Sequence, residues 1–329
     1  MSASNARPVL IVGHCTIDDI IQADGRMLPG TPGGAAAYAA LGAALYGARV
    51  TLVTLLGADY PLERLTSSIA VGGVGGVIDT RFARRSGARS IHNIARYAAD
   101  GARAFEIESW PVMDALTPTV ADLPAEIVPG AMALLTPAAQ SKQVDLARYL
   151  QTQACPVALD TELHYFPTPA GKAALRAVAA ESTYFLPSIE HLQALYASPA
   201  SDPVVYTGTM RELGCPWVVV KQGRRGSTVI DARGGSYWRV PSIDNLAIVD
   251  TTGAGDAFGG GFVAALADGK SPIEAACWGT VAASFAVESL GISVPPHFGP
   301  DLFTARYRWL RPRVERGRLA DPGKGVMLS

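Results

Sequence analysis

The chain has 329 residues, of which 49% are hydrophobic, and its 28 basic and 29 acidic side chains leave a formal net charge of −1. That length and apolar share allow one large or two ordinary domains with a sizeable core, while the charge balance and the lack of a basic stripe speak against a nucleic-acid partner. Cys15, Cys155, Cys215 and Cys277 are scattered without paired spacing, which suggests reduced thiols in a cytoplasmic protein and no zinc site.

The first residues, MSASNARP, carry neither a basic n-region nor a long apolar core, so no signal peptide is expected. A first strand is predicted at Val9–Val12, breaking at Gly13, with Asp18 five residues further on and Asp19 beside it. The glycine pair Gly33–Gly34 then leads into an alanine-rich segment from Ala35 to Ala48 that ends at Arg49. It is shorter than the roughly 18 residues of a membrane span, so a buried helix is predicted. A strand at Val50–Leu55 follows. From about Val77 to Ser109 the pattern changes to alternating stretches, SIHNIARYAA and ARAFEIES, joined at Asp100–Gly101. Such alternation around a turn dipeptide predicts a β-hairpin, although alternation alone does not say which face of it points inward.

Further short apolar runs at Ala131–Leu135, Val157–Asp160, Thr183–Leu186, Trp217–Val220 and Ser227–Ile230 alternate with helical stretches, which predicts an α/β fold with a mostly parallel sheet covered on both faces. The run LDTELHYF places Asp160, Glu162 and His164 at a strand end. Ligands bind at such ends in open α/β sheets, though helix capping or salt bridging is the favoured explanation of the cluster. WVVVKQGRRGSTVI reads as strand, glycine turn, strand.

The run VDTTGAGDAFGGGF, Val249 to Phe262, carries the most chemistry. Gly253, Ala254 and Gly255 have little or no side chain, so an anion can approach backbone N–H groups that the following helix leaves unpaired. Asp256 would repel a phosphate unless it had another task, and accepting the proton of an attacking hydroxyl is such a task. This string, with Asp250 and Thr252 ahead of the turn, resembles the C-terminal signature of the ribokinase-like (PfkB) carbohydrate kinases. Gly33, Gly34, Leu41, Gly42, Gly47, Ala48, Gly57 and Asp59 fit the N-terminal pattern of the same family in order.

The resemblance implies a three-layer α/β/α domain over residues 8–320 with a mostly parallel central sheet. A small β-sheet lid would come from segments 18–32 and 77–109, with flexible termini at 1–7 and 321–329. It implies an ATP-dependent phosphotransferase acting on a hydroxyl of a small sugar, polyol or related molecule, with Mg²⁺ and, in many relatives, K⁺. Asp256 would be the base, with Gly253, Ala254 and Gly255 as the anion hole. Asp18, Gly33, Gly34, Tyr38, Asn93 and Arg96 would face the acceptor, and Lys221, Gly223, Gly226, Ser188 and Thr252 the nucleotide. Asp250 would serve a monovalent cation, with a second half near Gly291 to Val294. Ala282, Ala283 and Ser284 would border the adenine or serve helix packing. Relatives occur as monomers and as homodimers.

Three departures qualify the match. The family's sugar-binding Asn after the glycine pair is replaced by Ala35–Ala37 and Tyr38, where the tyrosine either keeps a hydroxyl in the pocket or packs as an aromatic; such a segment is similar to the inositol-kinase-like branch. The family's Asn-x-x-Glu motif, which organises Mg²⁺ through water, reads Ser188 and His191 here, or Glu190 if the register slips by one. Lys221 stands where most relatives carry a small hydroxyl residue. These changes leave open a ligand-binding or regulatory protein that lost turnover. A dinucleotide-binding oxidoreductase is the other alternative, disfavoured because Gly13 is followed by His14, Cys15 and Thr16 rather than by GxGxxG.

Overall fold

A computed structural model describes residues 7–70, 76–98, 103–107, 109–165 and 168–319. The turn at Asp100–Gly101 and residues 321–329 lie outside the described residues.

In chain order the first half runs β1 (Val9–Val12), β2 (Thr16–Ile21), β3 (Met27–Gly33), α1 (Ala35–Tyr46), β4 (Arg49–Leu56), α2 (Leu62–Ala70), β5 (Val77–Asp79), β6 (Ala83–Arg85), β7 (Ile91–Tyr97), β8 (Arg103–Ile107) and α3 (Trp110–Ala115). The second half runs β9 (Met132–Leu135), α4 (Gln140–Thr152), β10 (Val157–Leu159), α5 (Pro169–Ala180), β11 (Tyr184–Phe185), α6 (Ile189–Tyr196), α7 (Thr207–Glu212), β12 (Trp217–Lys221), β13 (Ser227–Asp231), β14 (Ser236–Val240), α8 (Ala254–Ala267), α9 (Pro272–Ala286), α10 (Pro300–Leu310) and β15 (Glu315–Arg318).

Among the described residues these strands make an 11-stranded sheet and a separate four-stranded sheet. The large sheet is parallel from β5 through β4, β1, β9, β10 and β11 to β12, then antiparallel through β13, β14 and β15. Its central strands β1 and β9 are buried at every position, as expected of parallel strands covered on both faces. Two separate apolar clusters lie on the two faces: Ile11, Leu52 and Leu134 pack with α1, α8 and α9, while Val12, Leu135 and Leu159 pack with α4, α5 and α6. The α/β/α layering read from the sequence is therefore present.

The small sheet has the order β3-β2-β7-β8. It takes residues 16–21, 27–33, 91–97 and 103–107, whereas β5 and β6 pair with β4 at the edge of the large sheet. The early part of the 77–109 segment thus belongs to the main body.

Helices α1 and α8 set the site. Both are apolar on every side, and residues 36–46 and 257–267 are buried, which fits helices sandwiched between a sheet and a third helix. They approach through small residues: a Cβ on Gly42 would overlap the Ala257 carbonyl, and one on Gly260 the Ala39 carbonyl. The glycines that weaken α8 as an isolated helix therefore permit contact between backbones. Since α1 carries Tyr38 and α8 begins at the GAGD turn, this contact holds the two helix starts together.

Candidate active site

Gly253 caps α8 in the left-handed conformation, with φ of 71°. The first N–H groups of the helix lack intrahelical partners and carry the positive end of the helix dipole, with the Ala254 N–H 3.4 Å from the Thr251 carbonyl. Asp256 lies in this first turn and is half-buried. A Cβ on Gly253 would overlap the Tyr38 ring, so the aromatic packs flat on the turn.

Tyr38 is 3% exposed. Its phenol is held well above its ordinary range by burial, and then by the charges of Asp250 and Asp18, by Tyr97 and by Asp256. Acids from two distant stretches of chain therefore bear on one hydroxyl.

Asp18 projects from β2 and is buried. Its Oδ1 accepts from Thr16 Oγ1 at 2.7 Å and from Asn93 Nδ2 at 3.0 Å. Asp18 and Asn93 face each other in register across β2 and β7. Gly33 is opposite Thr16, and any Cβ there would overlap the Asp18 carboxylate. Asn93 Oδ1 is buried without a partner, an arrangement that usually means an absent donor. Asp19 is turned elsewhere, accepting from the Gly30 N–H at 2.8 Å, so Asp18 is the inward acid of the pair.

Arg96 is not brought to this group. It differs by an odd number of positions from Asn93, so it lies on the other face of β7, where it is exposed and pairs with Glu106 at 3.3 Å. Tyr97, one position on, shares the Asn93 face, and its hydroxyl reaches Asp250 Oδ1 and Thr252 Oγ1. Nothing in the linear pattern singled it out beyond its parity with Asn93.

On the other side of the turn, Lys221 ends β12 and forms an ion pair with Asp160, which follows β10. The ammonium is 3.5 Å from where a Cβ on Gly255 would sit, so it stands beside the N-terminus of α8. The salt-bridging alternative for the LDTELHYF cluster therefore holds for Asp160. Glu162 accepts from the Leu163 N–H at 2.8 Å, and its carboxyl is raised, chiefly by burial. His164 stacks on Trp110, with ring centroids 3.6 Å apart.

Ser188 and His191 form a reciprocal cap on α6: the Ser188 N–H donates to His191 Nδ1 at 3.2 Å, and the His191 N–H to Ser188 Oγ at 3.4 Å. Burial, and then the Lys221 charge, push the imidazole down to about 3. Glu190 is exposed in the first turn of α6, so the residue turned back onto Ser188 is an imidazole and not a carboxylate. Among the described residues no group of three or more His, Cys, Asp or Glu is suited to hold a metal ion. Gly223 opens the turn after β12 with free space around it, whereas Gly226, with φ of 84°, backs onto the Val240 carbonyl and serves the turn. Ala282 and Ser284 are buried in α9, with Ser284 accepting from Arg306 at 2.8 Å; packing accounts for both.

The layered sheet, the small second sheet and a glycine-capped helix start bearing an aspartate define a ribokinase-like phosphotransferase architecture. Residues 7–297 match the model of the pfkB family carbohydrate kinases, and the chain belongs to that family. A cytidine kinase of Thermococcus kodakarensis is 30% identical over 271 residues, covering 81% of this chain and 90% of that protein. An inositol 3-kinase of Oryza sativa subsp. japonica is 28% identical over 327 residues, covering 93% and 74%. The structure of Arabidopsis thaliana ribokinase complexed with ribose and ATP superposes with a TM-score of 0.71 at 21% identity, over 92% of this chain and 99% of that one. No helix among the described residues is long and apolar enough to cross a membrane.

Proposed function

We propose that the protein transfers the terminal phosphoryl group of ATP to a hydroxyl of a small polyhydroxylated acceptor, a sugar, polyol or nucleoside, with Asp256 as the general base. The observation that carries this is the glycine-capped first turn of α8, which bears Asp256, packs on Tyr38 at Gly253 and has the Lys221 ammonium beside Gly255. In this reading Asp256 takes the acceptor's proton as its oxygen bonds to the γ-phosphorus. The bond to the β-phosphate oxygen breaks and ADP leaves. Charge developing on the transferring group meets the amides of Gly253–Asp256 and the Lys221 ammonium.

Asp18 and Asn93 would hold the acceptor. Asn93 Oδ1, buried without a partner beside the Asp18 carboxylate, suits a hydroxyl donor of the acceptor. The four-stranded sheet that carries them would act as the lid and exclude water. Tyr38 occupies the place of the family's Asn and restricts the room beside the turn. Mg²⁺ would arrive with the nucleotide and neutralise phosphate charge, since the Ser188–His191 cap supplies no carboxylate for it.

Release of ADP over a panel of sugars, inositols and nucleosides tests the reading, with the wild type compared with Asp256→Asn. At least one acceptor should stimulate the wild type. The variant should keep its fold and nucleotide affinity while losing most turnover. Wild-type turnover in Asp256→Asn would remove the base, and no response to any acceptor would favour a binding or regulatory role.

A further inference from the structure

Asp250 is 2% exposed, and a buried carboxylate must be compensated by a cation or by hydrogen-bond donors. Three donors from three parts of the chain serve it. Oδ1 accepts from the Tyr97 hydroxyl of the small sheet and, at 2.7 Å, from the Thr252 N–H of its own turn. Oδ2 is 3.4 Å from the Gly291 N–H, in the loop after α9. The Tyr97 hydroxyl is also 2.6 Å from Thr252 Oγ1, so one phenol ties Asp250 to Thr252 just ahead of the glycine turn.

A monovalent cation in this family would sit between the Asp250 loop and the loop near Gly291. That interval is bridged here by the Gly291 amide itself, and N–H groups point their positive ends at both carboxylate oxygens. Donors so directed repel a cation, and the residues present do not fit one. The small sheet meets the same loop a second time, since a Cβ on Gly291 would come within 2.9 Å of Thr31 Cγ2 of β3.

We propose that Tyr97 is a positioning residue that locks the Asp250–Thr252 turn by hydrogen bonding, in the role a potassium ion would otherwise fill. Activity is then independent of potassium, and seating of the small sheet and setting of the anion hole are one event. The inference rests on the phosphoryl-transfer reading above for its catalytic consequence, but the hydrogen-bonded lock is measurable without turnover.

The test compares the wild type with Tyr97→Phe, which keeps the ring and removes the hydroxyl. Affinity for a non-hydrolysable ATP analogue and the thermal midpoint are measured in potassium chloride and in choline chloride of equal ionic strength, with ADP release as a third readout. The wild type should behave alike in both salts. In choline the variant should lose analogue affinity by about tenfold to a hundredfold, the range for a hydrogen bond to a charged group, and potassium should restore part of it. A wild type whose analogue affinity or midpoint rises severalfold or by several degrees in potassium overturns the proposal. So does a variant that equals the wild type in choline, or one whose loss is the same in both salts. If Tyr97→Phe does not fold, Thr252→Val removes the second contact of the same hydroxyl and is read by the same salt response. Absence of turnover on every acceptor would strike the phosphoryl-transfer reading, while the binding and midpoint arms would still decide on Tyr97.

Discussion

Replacing Gly253 by Ala perturbs the turn in two separable ways. Its φ of 71° is disfavoured for any residue with a Cβ by roughly 1–2 kcal/mol. The added methyl would also overlap the Tyr38 ring, and overpacking of this kind costs about 1–3 kcal/mol. The ring cannot retreat cheaply, because α1 and α8 already touch backbone to backbone at Gly42 and Gly260. The sum, about 2–5 kcal/mol, is less than the stability of an ordinary domain, so the variant should fold, although with the turn displaced. Tyr38→Leu removes the ring but leaves the φ penalty. The double variant should therefore be more stable than the sum of the single losses implies, by about 1–3 kcal/mol. Denaturant unfolding of the four proteins measures the cycle. Turnover of Gly253→Ala should fall by about 10²–10³, as for loss of an oxyanion-type donor. Stability within about 0.5 kcal/mol of wild type, or strict additivity with Tyr38→Leu, would refute the view that the ring is packed on the turn.

Two further outcomes follow from buried ionisable groups. Asp160→Asn leaves the Lys221 ammonium, 14% exposed, without its partner, and should destabilise the fold by about 3 kcal/mol. Adding Lys221→Met should recover most of that loss while weakening ATP binding, and recovery of binding as well would deny the lysine a phosphate contact. His14 is 1% exposed, and burial pushes its imidazole from about 6.5 to about 4. The unfolded chain then binds more protons between those values, so stability is full above pH 6.5 and is lost as pH falls toward 4. The loss amounts to about 3 kcal/mol for this group. His14→Gln should flatten that part of the urea-derived stability profile, and parallel profiles for the two proteins would contradict the shift.

The glycine turn, Asp256, Asp18 and the Gly33–Gly34 pair were legible because each is a local feature: a residue type demanded by backbone geometry or by charge at a strand or helix end. The order of layers was legible for a similar reason, since apolar runs too short for helices alternate with alanine-rich stretches too apolar for the surface. Ser188 and His191 were noticed as a departure, and their reciprocal cap is local too, but its meaning came only with the inward turn of the imidazole and the exposure of Glu190.

What linear order could not supply is which face of β7 looks inward, and which side chains far apart in the chain would meet. Arg96 and Tyr97 are neighbours, yet the two-residue period of a strand sends one to solvent and the other onto Asp250, 153 positions away. The Lys221–Asp160 pair spans 61 positions and exists because parallel strands bring their carboxyl ends to one edge. Local sequence thus determined the turn, the acids and the layers, whose free energies are set by a few adjacent residues. Partners for the buried charges were decided by tertiary packing, since burial makes an unpaired charge untenable but does not say which distant group will relieve it.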